Sequence, residues 1–223
     1  MAFSYPINLD VTRRAAVIVG GGAVAARKAR GLLDAGCRSV RVVAPVFDAA
    51  VPEGVERIAR QFQLRDLKGA SLVFAATDSP QVNETVVNEA RRLGALVCRV
   101  DHDEDGEADF SNPAVTRSGA LTVSVAASGS PALAASVRDQ LATAIDKAWA
   151  ELANCLQKLR PLVLDHPGLD ARHRQAVFRD LSGEEAMQTM RSGGALALCQ
   201  WICQKHRSLK TIESKMKNAL GAE

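Results

Sequence analysis

Aromatic residues are scarce, with six Phe, two Trp and one Tyr in 223 residues. That is too few for the stacking rows that grip single-stranded nucleic acid. Charge of one sign is also lacking: the net charge of +3 is too mild to imply a nucleic-acid partner, although a polyanionic small molecule stays compatible. No apolar run approaches the roughly 20 residues of a membrane span, and MAFSYPINLD has no long apolar core of the signal-peptide kind. The expectation is a cytoplasmic protein with no membrane and no nucleic acid among its partners. The cysteines, Cys37, Cys98, Cys155, Cys199 and Cys203, are scattered and odd in number, which fits reduced thiols better than a disulfide framework. His102, His166, His173 and His206 form no H-E-x-x-H pattern, and no metal site is expected. Cys199, Cys203 and His206 do share one helical face, but three ligands on one straight helix make a poor site, so core packing is the expectation there.

What the sequence does have is concentrated in residues 15–29, AAVIVGGGAVAARKA: an apolar strand, three glycines, then a helix-forming run. Gly20, Gly22 and Ala25 fit G-x-G-x-x-A. In that pattern the first glycine makes the tight turn, the second lets a pyrophosphate approach the backbone, and the small third residue lets helix and strand pack closely. The free N–H groups and positive dipole end of the following helix would face the diphosphate. Further strands are expected at residues 39–44, 55–60, 71–75 and 95–100, with helices over residues 23–35 and from Pro80 to about residue 93. Strand alternating with helix predicts an α/β fold with a Rossmann-type parallel sheet, whose ligands lie at the carboxyl ends of the strands.

Beyond Asp101 the pattern changes. The acidic run DHDEDGEAD leads to two strands, 114–117 and 120–126, joined by Ser118-Gly119, and then to a helix from Ser130-Pro131. From about residue 151 the chain reads as helical, with breaks at Pro161 and Pro167-Gly168 and a capping box at Ser182 and Glu185. The last stretch reads as a basic amphipathic helix or a frayed tail. The expected domains are an NAD-binding Rossmann domain (1–112), a small α+β dimerisation and substrate segment (113–150) and a C-terminal helical domain (151–223).

Three constellations need weighing. The acid expected at the end of strand two, which would grip the adenosine ribose, is missing: the chain reads Val43, Ala44, Pro45, Val46. The residues alone therefore leave NAD and NADP open. Arg38 and Arg41 are candidates for a 2′-phosphate, but their alternation along the strand fits solvated face charges better. Asp101 closes strand five, where a carboxylate could take a proton from a carbon losing hydride or simply solvate a strand end. Asp101, Asp103, Asp105, Gly106 and Asp109 match the start of a calcium loop. The twelfth position is Asn112 rather than a bidentate Glu, and Pro113 follows, so a solvated turn is favoured.

Taken together, YPINLD, VGGGAVAARKARGLLDAG, Ala76-Thr77-Asp78 with Pro80 and Asn83, VCRVD and FSNPAVTRSGALTVSVAASGSPALA resemble the precorrin-2 dehydrogenase and sirohydrochlorin ferrochelatase family, the N-terminal module of siroheme synthase. The resemblance implies that NAD takes hydride from precorrin-2 to give sirohydrochlorin, with ferrous iron then a candidate substrate for insertion. It makes Asp101 the catalytic proton-handling group. It also places cofactor contacts at Gly20, Gly21, Gly22, Ala23, Val24, Pro45, Val46, Thr77 and Asp78. Arg117, Ser128 and Ser130 fall in the region that meets the tetrapyrrole, and Arg99 and Arg138 could add forked contacts to its carboxylates. The turn AASGSP is one residue shorter than the family's Gly-Gly-x-Ser-Pro form. The family forms a homodimer, and the matching segment here is about residues 113–150. A rival from another class is an NAD-sensing regulator that turns over no tetrapyrrole.

Overall fold

A computed structural model describes residues 5–100 and 108–221. Asp101 and most of the acidic run, including His102, Asp103, Asp105 and Gly106, lie outside the described residues. The chain divides into two compact units, Met1–Asn112 and Pro113–Glu223.

The first unit is built on five parallel strands, β1 (Ala15–Val19), β2 (Ser39–Ala44), β3 (Glu56–Ala59), β4 (Leu72–Ala75) and β5 (Leu96–Arg99), in the order β3-β2-β1-β4-β5. The strand order reverses between β1 and β4, which is the Rossmann arrangement. Alternation along β1 explains why both faces are covered. Ala16 and Ile18 pack with Ala25, Ala26, Ala29 and Leu32 of α1 (Ala23–Asp34), while Val17 and Val19 pack with Val86, Val87 and Ala90 of α2 (Pro80–Arg92). A sheet buried on both faces needs apolar residues at consecutive positions, and β1, β4 and the end of β2 supply them. Helix α1 stops where Gly36 takes φ 82°: its N–H donates to the Leu33 carbonyl at 2.8 Å and that of Cys37 to the Leu32 carbonyl at 2.9 Å. Helix α2 starts with Pro80 in its first turn and Ser79 as cap.

Arg41 departs from the solvated charge expected of it. Its guanidinium donates to the Asp66 carbonyl at 2.7 Å and to Glu56 at 3.2 Å, stitching β2 to the β3 edge. The end of the acidic run lies among the described residues. Asp109 pairs with Val97 as an added edge segment, its N–H donating to the Val97 carbonyl at 2.8 Å and its carboxylate accepting the Val97 N–H at 2.9 Å. Asn112 accepts from the Lys28 ammonium at 2.8 Å. Two of the calcium-loop positions are thus engaged in holding the chain, Asp109 to β5 and Asn112 to α1.

The second unit opens with an antiparallel hairpin, β6 (Ala114–Ser118) and β7 (Leu121–Val125), followed by α3 (Pro131–Ala144), α4 (Lys147–Leu164), α5 (Ala171–Leu181), α6 (Glu184–Lys205) and α7 (Glu213–Leu220). Helix α4 runs through residue 150 without interruption. Its core joins Leu159 and Val163 to Val177, Leu181, Leu198, Ile202 and Met216. Cys199 and Cys203 lie in that core as the packing reading expected, while His206 turns to Asp180 at 2.8 Å. A hydrogen bond with Cys199 and burial push the Cys203 thiol up, so it stays protonated.

Three local expectations change. Pro161 does not break the chain but sits inside α4, where the carbonyl it leaves without a donor belongs to the exposed Gln157 and can bind water. The capping box at Ser182 and Glu185 is absent: the Ser182 N–H closes α5 on Phe178 and Arg179, and Gly183 caps α6 without a side chain. The final stretch is a 3-10 turn (Arg207–Ile212) followed by α7 rather than one continuous helix.

Candidate nucleotide site

The glycine turn sits at the carboxyl end of β1, between the ends of β2 and β4, and each glycine there answers a different demand. Gly20 has φ 124°, a region that L side chains rarely adopt, and a Cβ on it would strike the Ala76 carbonyl. Its N–H donates to the Val43 carbonyl at 2.9 Å. A Cβ on Gly21 would strike the Val46 carbonyl, and the Gly21 carbonyl accepts the Asp48 N–H at 2.7 Å. Gly22 is the opposite case, because a Cβ there meets nothing within 4 Å. It caps α1 in an extended conformation, φ −81° and ψ −172°, without a side-chain cap.

This geometry suits an anion. A helix leaves its first N–H groups without helical partners, and here neither a capping side chain nor an acidic residue in the first turn competes for them. Ala23 and Val24 are exposed on that turn, and Pro45 and Val46 are exposed after β2, Val46 to 79%. An apolar platform of this kind can take the face of an adenine ring. The absence of a ribose-gripping acid on Ala44, Pro45 and Val46 stands. The nearest carboxylate along the chain is Asp48, whose oxygen accepts the Ala50 N–H at 2.7 Å. The open space at Gly22, the uncapped helix start and the apolar rim fit the diphosphate and base of a dinucleotide.

Thr77 and Asp78 follow β4 on the other side of the turn, Thr77 half-buried and Asp78 exposed. Their loop is fixed by Asn83, a fully buried amide on α2. Its Oδ1 accepts the Thr77 N–H at 3.1 Å and the Thr77 hydroxyl at 2.7 Å, and its Nδ2 donates to the Thr77 carbonyl at 2.9 Å. Asn83 has no role assigned to it by its residue type and spacing alone. The signal was available, since it is the polar member of the α2 stripe formed with Val86, Val87 and Ala90.

The residues expected to meet substrate belong to the second unit. Arg117 is exposed on β6, Ser128 is exposed in the turn before α3, and Ser130 caps α3 by accepting the Leu133 N–H at 3.3 Å. Arg138 is paired with Asp139 at 2.6 Å. Arg99, in the first unit, is buried at 6% exposure near the end of β5. Val100 continues β5 by donating to the Ala75 carbonyl at 3.1 Å, and Asp101 is the next residue in sequence.

Fold and turn together define a Rossmann nucleotide-binding domain, and residues 7–114 match a family model described as putative NAD(P)-binding. The chain is 36% identical over 220 residues to a siroheme synthase of Azotobacter vinelandii, covering 96% of this chain and 44% of that protein. It is 39% identical over 185 residues to one of Pseudomonas putida (76% and 39% covered) and 33% identical over 200 residues to one of Gluconobacter oxydans (85% and 41% covered). The chain is similar to these siroheme synthases and spans about two-fifths of the length of those relatives. A solved structure titled "SirC, precorrin-2 dehydrogenase" shares the fold, with a TM-score of 0.73 at 21% identity over 90% of this chain and all of that one. Among the described residues no helix is long and apolar enough to cross a membrane.

Proposed function

We propose that the chain is an NAD-dependent dehydrogenase that converts precorrin-2 to sirohydrochlorin in siroheme biosynthesis. The observation that carries this reading is the open, uncapped helix start at Gly22, placed where the strand order reverses, on a chain whose relatives are siroheme synthases. NAD bound there supplies the hydride acceptor.

The chain's own residues do the rest. Gly20 and Gly21 hold the turn, Gly22 leaves the diphosphate its room, and the first-turn amides at Ala23 and Val24 meet its charge. Val24, Pro45 and Val46 cover the adenosine end, and Thr77 with Asp78 forms the opposite rim. Oxidation removes one hydride and one proton from the macrocycle, and Asp101 takes the proton. Arg117, Ser128 and Ser130 meet the carboxylates and polar edge of the tetrapyrrole. The same carboxylate at Asp101 would receive pyrrole protons if ferrous iron, as substrate, enters sirohydrochlorin. The segment 113–150 is the homodimer contact: α3 buries only Ala134, while Leu133 and Leu141 stand 55% and 43% exposed. We place the protein in the cytoplasm.

The test mixes the full chain with precorrin-2 and NAD and follows absorbance. Sirohydrochlorin and NADH should appear together, and Asp101→Ala should slow both at least a hundredfold with NAD affinity kept, the scale of a lost general base. Folded protein that binds NAD but forms neither product would leave the sensor reading in place of the enzyme. Sirohydrochlorin with ferrous ion, compared with the spontaneous background, decides the chelatase step.

A further inference from the structure

Asn83, on α2, pairs with the backbone just past the end of β4. The β1–β4 ladder ends at Val19 opposite Ala75, with one more bond from the Ala76 N–H to the Val19 carbonyl at 2.8 Å. At Gly20 strand β1 turns away to form the nucleotide loop, and Thr77 lies just past the end of β4. There the Asn83 amide pairs with its backbone, accepting the Thr77 N–H through Oδ1 and donating to the Thr77 carbonyl through Nδ2, as a neighbouring peptide would. Both ends of the amide face complementary groups, so its orientation is fixed.

The clamp has a consequence for the nucleotide. The Ala76 carbonyl and the Thr77 nitrogen are the atoms that approach Gly20 with no room for a Cβ. The residue that sets the Ala76–Thr77 peptide therefore sets the wall against which the glycine turn rests. Asn83 is itself 0% exposed. We infer that Asn83 is a positioning residue for nucleotide affinity, acting through Thr77 and the Ala76 carbonyl on the shape of the glycine turn. This rests on the nucleotide-binding reading above.

The experiment is calorimetric titration of NAD into the full chain, reading affinity and number of sites separately. Asn83→Ala should raise Kd about tenfold with the number of sites per folded chain kept. A purely structural role would instead lower the number of sites and leave the remaining Kd unchanged. Because Asn83→Ala can fail to fold, Asn83→Asp is the second variant. Its protonated acid can accept through one oxygen and donate through the other, whereas its carboxylate cannot donate to Thr77 and burial disfavours it. Its Kd, relative to wild type at the same pH, should recover on acidification from about pH 8 to about pH 5.5, since burial raises a carboxyl pKa above its ordinary value near 4. Asn83→Ala binding within about twofold of wild type, or Asn83→Asp showing no relative pH dependence, would overturn the inference. Wild-type protein that binds no NAD would overturn the nucleotide reading and this inference with it, whereas wild-type binding with unaffected variants overturns the inference alone.

Discussion

In the first unit, the positions least open to change are those where backbone meets backbone: Gly20 against the Ala76 carbonyl, Gly21 against that of Val46. In the second, they are positions of side-chain volume, where Leu159, Val163, Leu198 and Ile202 fill the space between helices together with Cys155, Cys199, Cys203, Met187, Met190 and Met216. Close backbone approach admits a single residue type, whereas a volume can be filled by several apolar residues at modest cost. The Cys155 thiol is pushed up by burial and acts as packing rather than as a thiolate. The first kind of constraint leaves a motif in the sequence and the second leaves only a period.

That difference is broken most directly at Gly20. Gly20→Ala adds a β-carbon at φ 124° and against the Ala76 carbonyl at once. Left-handed strain and overpacking together predict a loss of roughly 3–4 kcal/mol, confined to the first unit. Urea unfolding followed by far-UV circular dichroism should show it, and NAD binding should vanish. Next comes the matching change in the other unit. Leu159→Ala, at a position with no exposure, should cost about 3 kcal/mol by transfer and cavity terms. NAD affinity should stay within about twofold if the two units carry separate tasks. An equal loss of affinity in both variants would erase the contrast.

The same distinction decides what could be read in advance. The parallel sheet was legible because strands alternate with helices along residues 15–100, and β1, β4 and the end of β2 are apolar at consecutive positions, a pattern that both-face burial requires. The turn at residues 20–22 was legible as a motif, but not its inner division of labour. Gly21 stands at a variable position of G-x-G-x-x-A, and its need for glycine comes from Val46, which is distant in sequence. Asn83 was legible as part of the motif with Thr77, but not its bonds to the Thr77 backbone, which lies before the start of α2. Pro161 misled because a helix tolerates an interior proline where the residue whose carbonyl is orphaned, here Gln157, is exposed. Ser182 misled because its N–H was already needed by α5.

A smaller effect sharpens the comparison from the edge of the first unit. Asp66 is buried and receives both Arg60 nitrogens, at 2.6 and 2.8 Å, and the Gln63 N–H at 2.8 Å. The Arg60 hydrogen bonds, outweighing burial, hold its carboxyl below the usual carboxylate range. A depressed folded pKa contributes stability that is present above the unfolded value near 3.9 and lost as pH falls through the folded one. Asp66→Asn should cost roughly 2 kcal/mol at neutral pH and should remove this acid-side loss. A variant whose stability differs from wild type by the same amount at about pH 2 and about pH 7 would refute the linkage.

Gly22 gives the smallest change in stability and the cleanest separation of folding from binding. Its backbone, φ −81° and ψ −172°, is open to any residue, and an added Cβ meets no atom within 4 Å. Alanine is a poorer helix cap than glycine by some tenths of a kcal/mol, but it lowers the entropy of the unfolded chain by about as much. Gly22→Ala should therefore leave stability within about 0.5 kcal/mol of wild type. Its methyl group nevertheless occupies space that a diphosphate needs in order to reach the first-turn amides, so Kd for NAD should rise about tenfold or more. Paired thermal unfolding and titration check both halves. If affinity were unchanged in a variant this stable, the diphosphate would have to bind elsewhere, and the empty space beside Gly22 would be a feature of folding alone.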